Sequence, residues 1–305
     1  MRSIATVTLG GTLPEKLCAI ANAGFKGVEL VEKDLLNFKG SSRDIKHLCN
    51  ELGLDIIAFQ PLRDFEGCPR RRLQEVLGCA ERMFDTMGEL ETQTLLLCSN
   101  VSEEASSNVD VMASDLQLLT DRAKRRGLRV GYEALSWGSR IRSYRDAWHL
   151  VKLVSDPSLG LVLDTFHTFC LDDDLAELSN IPPEHIFFVQ VADAPRIPVD
   201  LLRWSRRFRC FPGFGDFDLP TFLAPLFARG YKGPLSLEIF SDIYPFMPPM
   251  PMALHGFSSL CNLENSAKTL SLNLPLCSLE VPLEPASATI AVSTQNVHFS
   301  TTTIT

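Results

Sequence analysis

Eight short apolar runs recur along this chain, and a longer amphipathic stretch separates each from the next. The runs are SIATVTL (3–9), GVELVE (27–32), DIIAFQP (55–61), TLLLCSN (94–100), RVGYEAL (129–135), LGLVLDTF (159–166), IFFVQVAD (186–193) and PLSLEIF (234–240). Continuous apolar runs of this length suit parallel strands covered on both faces. The stretches between them have helical periodicity. LPEKLCAIANAGF places Leu13, Leu17, Ile20 and Ala21 on one side and ends at Gly24. SSRDIKHLCNELGL begins with serine and stops at Gly53, and ASDLQLLTDRAKRRGL gathers Leu116, Leu119 and Ala123 and stops at Gly127. SYRDAWHLVKLVSD and DLPTFLAPLFARGY behave similarly. Glycine at the end of a helix, just before the next strand, is the punctuation of βα units. Eight such units predict an α/β fold of the (β/α)8 barrel type, for which about 250 residues is typical. The count of eight decides against a doubly wound sheet. The first loop, GGT (10–12), is not a G-x-G-x-x-G, and no Walker motif occurs, so nucleotide binding has no support.

Composition narrows the partners. A chain of 305 residues that is 45% hydrophobic can bury a large core. A net charge of −8 argues against a nucleic-acid backbone as partner. It does not exclude an anionic small molecule, for which one local arginine cluster is enough. The nine cysteines, Cys18, Cys49, Cys68, Cys79, Cys98, Cys170, Cys210, Cys261 and Cys277, are odd in number, scattered, and form no C-x-x-C pair. They read as reduced thiols in a cytoplasmic protein, not as a disulfide framework or a structural zinc site. The first residues show no secretory leader, and no apolar run reaches the ~18 residues of a membrane span. A last helix is expected from about Met252 to Leu270. The barrel is assigned to 1–271, and 272–305, rich in Ser and Thr, is read as a poorly packed extension. A strand-like wrap of that extension onto another surface is the alternative.

In such a barrel the site lies at the C-terminal ends of the strands. Strand five ends with Glu133, strand six with Asp164 and then His167, strand seven with Gln190 and Asp193, and strand eight with Glu238. Any one of these alone reads equally well as a buried group paired with an arginine. Three carboxylates and an amide at successive strand ends would repel one another without a cation. Hard oxygen donors suit Mg²⁺, Mn²⁺ or Co²⁺.

The series GYEAL, LDTFH, VQVAD, RCFPGFGDFDL and GPLSLEIF resembles the xylose-isomerase-like (sugar phosphate isomerase/epimerase) TIM-barrel superfamily. Within it the chain looks most like the 3-dehydroshikimate dehydratases of quinate catabolism. YEALSWG and LDTFHTF are the most specific stretches, and the resemblance runs from about residue 1 to 262. It implies a divalent-metal site at Glu133, Asp164, Gln190 and Glu238. Many members of the superfamily have His at the third position, and Gln190 matches the dehydratase branch. The extra His ligands of endonuclease-like relatives are missing, which counts against DNA repair. The implied reaction turns 3-dehydroshikimate into protocatechuate and water. His167 is the expected general base, with Glu32 or a metal-activated hydroxide as competitor. Arg63 and Arg209 are expected to hold the substrate carboxylate, and Gln60 and Trp137 to line the pocket. Arg206 and Arg207 are expected on the surface. VELVE alternates, so one of Glu29 and Glu32 points inward. Asp193 is a supporting candidate.

The chain departs from the family's pattern in three places. Phe214 stands where relatives often carry an acidic residue, YPFMPPMPM replaces a more polar stretch, and the Ser/Thr tail is foreign to the pattern. The chain is too short for the dioxygenase-like second domain that some dehydratases carry. The expected partner is a small anionic cyclic hydroxy-keto acid, with neither nucleic acid nor membrane. A homo-oligomer is compatible with the sequence. Two other readings remain open: a metal-dependent sugar or keto-sugar isomerase or epimerase on the same barrel, and a non-catalytic metabolite-binding protein.

Overall fold

A computed structural model describes residues 1–274. The predicted helices begin and end where local chemistry allows. α1 (Leu13–Ala23) starts at Thr12, which exchanges capping contacts with Glu15, and ends at Gly24, whose φ of 105° belongs to the left-handed region. After α2 (Glu32–Leu36), α3 (Ser42–Leu52) repeats the device with Ser41 and Asp44. α4 (Leu73–Leu90) and α5 (Val109–Lys124) follow, then α6 (Tyr144–Val154), capped by Ser143 and Asp146. α6 stops at Ser155, not at a glycine, with φ 52°.

The strands are β1 (Arg2–Ala5), β2 (Gly27–Val31), β3 (Asp55–Leu62), β4 (Thr94–Cys98), β5 (Arg129–Glu133), β6 (Leu159–Asp164), β7 (Ile186–Val191) and β8 (Leu235–Leu237). They pair in parallel in chain order, and β8 pairs with β1 to close the barrel. This is the (β/α)8 TIM barrel that the eight apolar runs predict. The outward faces of the strands carry Ile4, Val28, Leu30, Phe59, Leu95, Leu97, Val130 and Leu161 into the main core beneath the helices. Each fully buried Leu or Val contributes roughly 1.5–3 kcal/mol to that layer.

A smaller cluster of Ala58, Leu96, Val162 and Phe188 forms separately from the main core. These residues stand two positions before Gln60, Cys98, Asp164 and Gln190 respectively, so each pair shares the inner face of its strand. The barrel interior is thus apolar in one layer and polar in the next layer towards the C-terminal ends.

Three further helices complete the ring's upper face and seam. α7 (Thr165–Phe169) follows β6 directly, and α8 (Leu201–Arg207) lies in the long connection from β7 to α9 (Leu219–Ala228). Asp193 anchors that connection, accepting from the backbone N–H of Gly213 at 2.9 Å and of Phe217 at 3.1 Å. A Cβ on Gly215 would lie 2.3 Å from the Asp193 carboxylate, so only glycine lets the loop come this close.

α10 (Pro249–Ser271) encloses the expected Met252–Leu270 helix and packs on α1 and α9, across the β8–β1 seam. Phe257 meets Phe25 edge-on at 5.1 Å, and Glu264 pairs with Arg2 at 2.8 Å. Among the described residues no helix is long and apolar enough to cross a membrane. The reading of 272–305 falls almost wholly outside the described residues.

Candidate active site

The four strand-end groups occupy neighbouring positions on one rim. Glu133 closes β5 and Asp164 closes β6, Gln190 is one residue from the end of β7, and Glu238 follows β8. All are at most 4% exposed. Asp164 also caps α7, with Oδ1 accepting from Phe166 N at 2.6 Å, so the start of a helix aims its other oxygen inward. That oxygen, Oδ2, accepts from Arg209 Nη1 at 2.8 Å, and the same nitrogen reaches Glu238 Oε2 at 3.2 Å.

Deeper in the barrel, Glu29 Oε2 accepts from the amide nitrogens of Gln60 and Gln190, both at 2.8 Å. Gln60 Nε2 also reaches Glu238 Oε1 at 3.2 Å. Glu29 therefore turns both amides the same way, nitrogen towards itself. The Gln190 Oε1 is buried and has no hydrogen-bond partner.

The electrostatics leave this rim short of positive charge. Burial, then Glu238 and Asp164, push the Glu133 carboxyl well above the ordinary range. Burial, then repulsion from Glu238, raise Glu29 to about 8. Burial raises Glu238 too, against the pull of Arg209. Four buried carboxylates face one engaged guanidinium, and proton uptake or another cation must make up the difference. Oxygens of Glu133 and Asp164 and a ring nitrogen of His167 all lie within 4.8 Å of one another. These side chains fit a metal ion chemically, and the Gln190 oxygen, on the neighbouring strand, is a further donor without a partner.

His167, on α7, is 4% exposed. Its Nε2 lies 3.5 Å from Glu133 Oε1 and 3.6 Å from Asp164 Oδ2. Burial lowers its pKa to about 3, so the ring is neutral. Each tautomer has a partner. Ser136 Oγ lies 3.1 Å from Nδ1 and Arg209 Nη2 3.3 Å from Nε2, a pairing that puts the proton on Nδ1. The Ser136 N–H, 3.2 Å from Nδ1, favours the opposite form. Trp137 packs edge-on to the ring at 4.9 Å.

A cleft above these groups is lined by Gln60, Arg63, Cys98, Glu133, Leu135, Trp137, His167, Arg206, Arg209, Glu238 and Phe240. The structure thus brings Gln60, Arg63, Trp137 and Arg209 together with Glu133, His167 and Glu238. Glu32 stands apart: it opens α2, half-buried, and does not line the cleft. Of the two acids in VELVE it is Glu29 that points into the barrel.

Arg206, expected on the surface, is a correction. It is half-buried and lines the cleft, its guanidinium 4.5 Å from the Phe240 ring and 5.5 Å from that of Trp137. Its place on α8, in an excursion of the β7–α9 connection, cannot be read from strand-end arithmetic. The cluster WSRRFR before the Pro-Gly turn was the available signal. Cys98 was also missed. Its thiol donates to Glu133 Oε2 at 3.2 Å, and its position at the end of β4 was legible. Asp193 holds the loop that carries Arg209 and does not line the cleft.

Known proteins resemble this chain in sequence and in fold. A 3-dehydroshikimate dehydratase of Pseudomonas aeruginosa is 50% identical over 300 residues, covering 98% of this chain and 47% of the relative. The chain therefore spans about half the length of that curated relative. A solved xylose isomerase-like TIM barrel/4-hydroxyphenylpyruvate dioxygenase fusion protein superposes with a TM-score of 0.86 at 52% identity, covering 88% of this chain and 43% of that one. The crystal structure of an IOLI protein with a bound zinc atom has the same fold, with a TM-score of 0.79 at 19% identity, covering 86% of this chain and 97% of that one. The sequence pattern of the xylose isomerase-like TIM barrel matches residues 17–263, nearly the whole barrel, and the chain belongs to that family.

Proposed function

We propose that this chain is a metal-dependent 3-dehydroshikimate dehydratase, which removes water from 3-dehydroshikimate to give protocatechuate. The observation that carries this reading is one buried cleft with two unmet charges. Its floor holds mutually repelling carboxylates that Arg209 offsets only in part, and its walls hold the unpaired guanidiniums of Arg63 and Arg206. A divalent cation answers the first and an anionic substrate the second. The name of the Pseudomonas relative, half identical over almost all of this chain, supports the same choice.

Glu133, Asp164, Gln190 and Glu238 would hold the cation, and their oxygen donors favour Mg²⁺, Mn²⁺ or Co²⁺. When bound there, such an ion supplies the Lewis acidity that stabilises negative charge on the substrate's ketone oxygen. His167 is neutral, with either ring nitrogen able to carry the proton. In this reading it takes the proton from the carbon beside the ketone and returns it to the departing hydroxyl as water forms. Enolisation of the ketone then completes the aromatic ring. Glu32, outside the cleft, is less well placed for that proton. A neutral keto-sugar would leave the arginines unanswered, which favours dehydration over sugar isomerisation. A purely ligand-binding protein would have no use for a neutral histidine between two carboxylates.

The test is incubation with 3-dehydroshikimate and Mg²⁺, Mn²⁺ or Co²⁺, following the ultraviolet absorbance of protocatechuate. Product should appear and should vanish on exhaustive chelation. Failure to form product with any of the three ions, or activity that survives chelation, sinks the reading.

A further inference from the structure

We propose that Arg206, together with Arg63, forms the subsite that takes the substrate's carboxylate, and that Arg209 does not. The proposal rests on the reading of the cleft as a dehydroshikimate site and fixes how the substrate lies in it.

Arg209 looks like the natural anchor from sequence, but its guanidinium is already engaged. Nη1 donates to Asp164 Oδ2 at 2.8 Å and to Glu238 Oε2 at 3.2 Å. Nη2 donates to Ser205 Oγ at 3.0 Å and lies 3.3 Å from His167 Nε2. Only Nε is left, and it is buried. A carboxylate is gripped through two parallel N–H groups, and Arg209 has no such pair free. The side chain is 2% exposed, with Phe166 at 4.6 Å and Phe240 at 5.3 Å. It is a counter-charge to the rim carboxylates.

Arg206 and Arg63 have the opposite character. Both line the cleft, and among the described residues neither makes a side-chain hydrogen bond or an ion pair. The Arg206 guanidinium lies over the Phe240 ring at 4.5 Å and the Trp137 ring at 5.5 Å, which restricts its movement in the cleft. Burial, then the nearby charges of Arg63 and Arg209, disfavour its cationic form. Glu238 attracts it from a distance without pairing with it directly, so a half-buried cation beside two others is left costly, and an incoming carboxylate reduces that cost. With the carboxylate at Arg206 and Arg63, the ketone, two carbons round the ring from the one that bears the carboxylate, is left free to face the acids that line the same cleft, Glu133 and Glu238.

The test compares two ligands that differ only in the carboxylate: protocatechuate, the expected product, and catechol. Wild-type protein should bind protocatechuate more tightly than catechol by roughly 10- to 100-fold in titration calorimetry. Arg206→Gln should erase most of that preference, and its KM for 3-dehydroshikimate should rise by more than its kcat falls. Arg206→Lys should restore part of the preference, since it returns charge without the fork. Arg209→Gln should keep the preference while losing metal affinity. A preference that survives Arg206→Gln, or that disappears in Arg209→Gln with metal still bound, overturns the proposal. Should Arg206→Gln not fold, Arg63→Gln, at an exposed position, carries the same comparison. If wild-type protein prefers protocatechuate but never produces it, the dehydratase reading fails while the anion subsite stands.

Discussion

The two halves of the barrel rim solve different problems. The ends of β5 to β8 carry Glu133, Asp164, Gln190 and Glu238, a run of oxygen donors. The ends of β1, β3 and β4 carry Thr6, Gln60, Arg63 and Cys98, which hold, orient and shape, and the one acid this half turns inward, Glu29 on β2, is pushed up to about 8 by burial and by Glu238. Gln60 shows the division of labour: its amide spans Glu29 at 2.8 Å and Glu238 at 3.2 Å, tying one half to the other. The second half concentrates acidic groups that proton uptake or a bound cation must balance, and the first sets the geometry around them.

Breaking the donor half should cost most. Asp164→Ala removes an inward oxygen, the cap of α7 and the partner of Arg209 together. Metal binding by calorimetry and protocatechuate formation should fall together, the rate by about a thousandfold or more. His167→Ala should come next, with about a hundredfold loss of kcat and metal affinity retained. If metal is lost as well, His167 belongs among the ligands, as its closeness to Glu133 and Asp164 allows. In the first half, Cys98→Ala deletes one weak donor to Glu133 and should change kcat by only about threefold. A loss comparable to that of His167→Ala would erase the proposed difference between the halves.

What could be read from sequence follows the same boundary. Continuous apolar runs that end in an oxygen-bearing side chain announce themselves, because a polar or charged group inside such a run needs a partner. That logic brought out Glu133, Asp164, Gln190 and Glu238, and glycine-stopped helices brought out the eightfold repeat. It did not choose between Glu29 and Glu32, which alternate to opposite faces. The phase depends on how β2 meets its neighbours, and the β2–β3 register shifts between Val28 and Glu29. Arg206 was hidden for another reason. A helix within a loop has no strand to fix which way it faces, and an arginine in such a place looks like any solvated charge. Arg209 was expected to hold the substrate carboxylate, but its engagement by Asp164 and Glu238 is a fact of three dimensions.

The smallest effect on catalysis, and a sharp control, is expected at Glu66. This carboxyl lies just after β3, is buried, and does not line the cleft. Its Oε1 accepts from Asn100 N at 2.5 Å and from the Tyr132 hydroxyl at 2.9 Å, while Oε2 has no partner. Burial raises its pKa from 4.5 to about 7. The native state therefore holds a proton that the unfolded chain has released between about pH 4.5 and 7. Stability contributed by that proton is complete below the lower value, falls as pH rises through the window, and is gone above it. Over the whole window the change is on the order of 3 kcal/mol. Glu66→Gln has no proton to lose, so its unfolding free energy should lack that decline when wild type and variant are compared at pH 5 and pH 8. Its activity should match wild type, in contrast to Glu133→Gln, which removes a donor from the cleft. A buried carboxyl that needs only a proton and one proposed to hold a metal ion are then separated by experiment. If Glu66→Gln keeps the full decline, another group titrates in that window, and if it loses activity, the front half of the rim contributes more to the chemistry than its neutral side chains indicate.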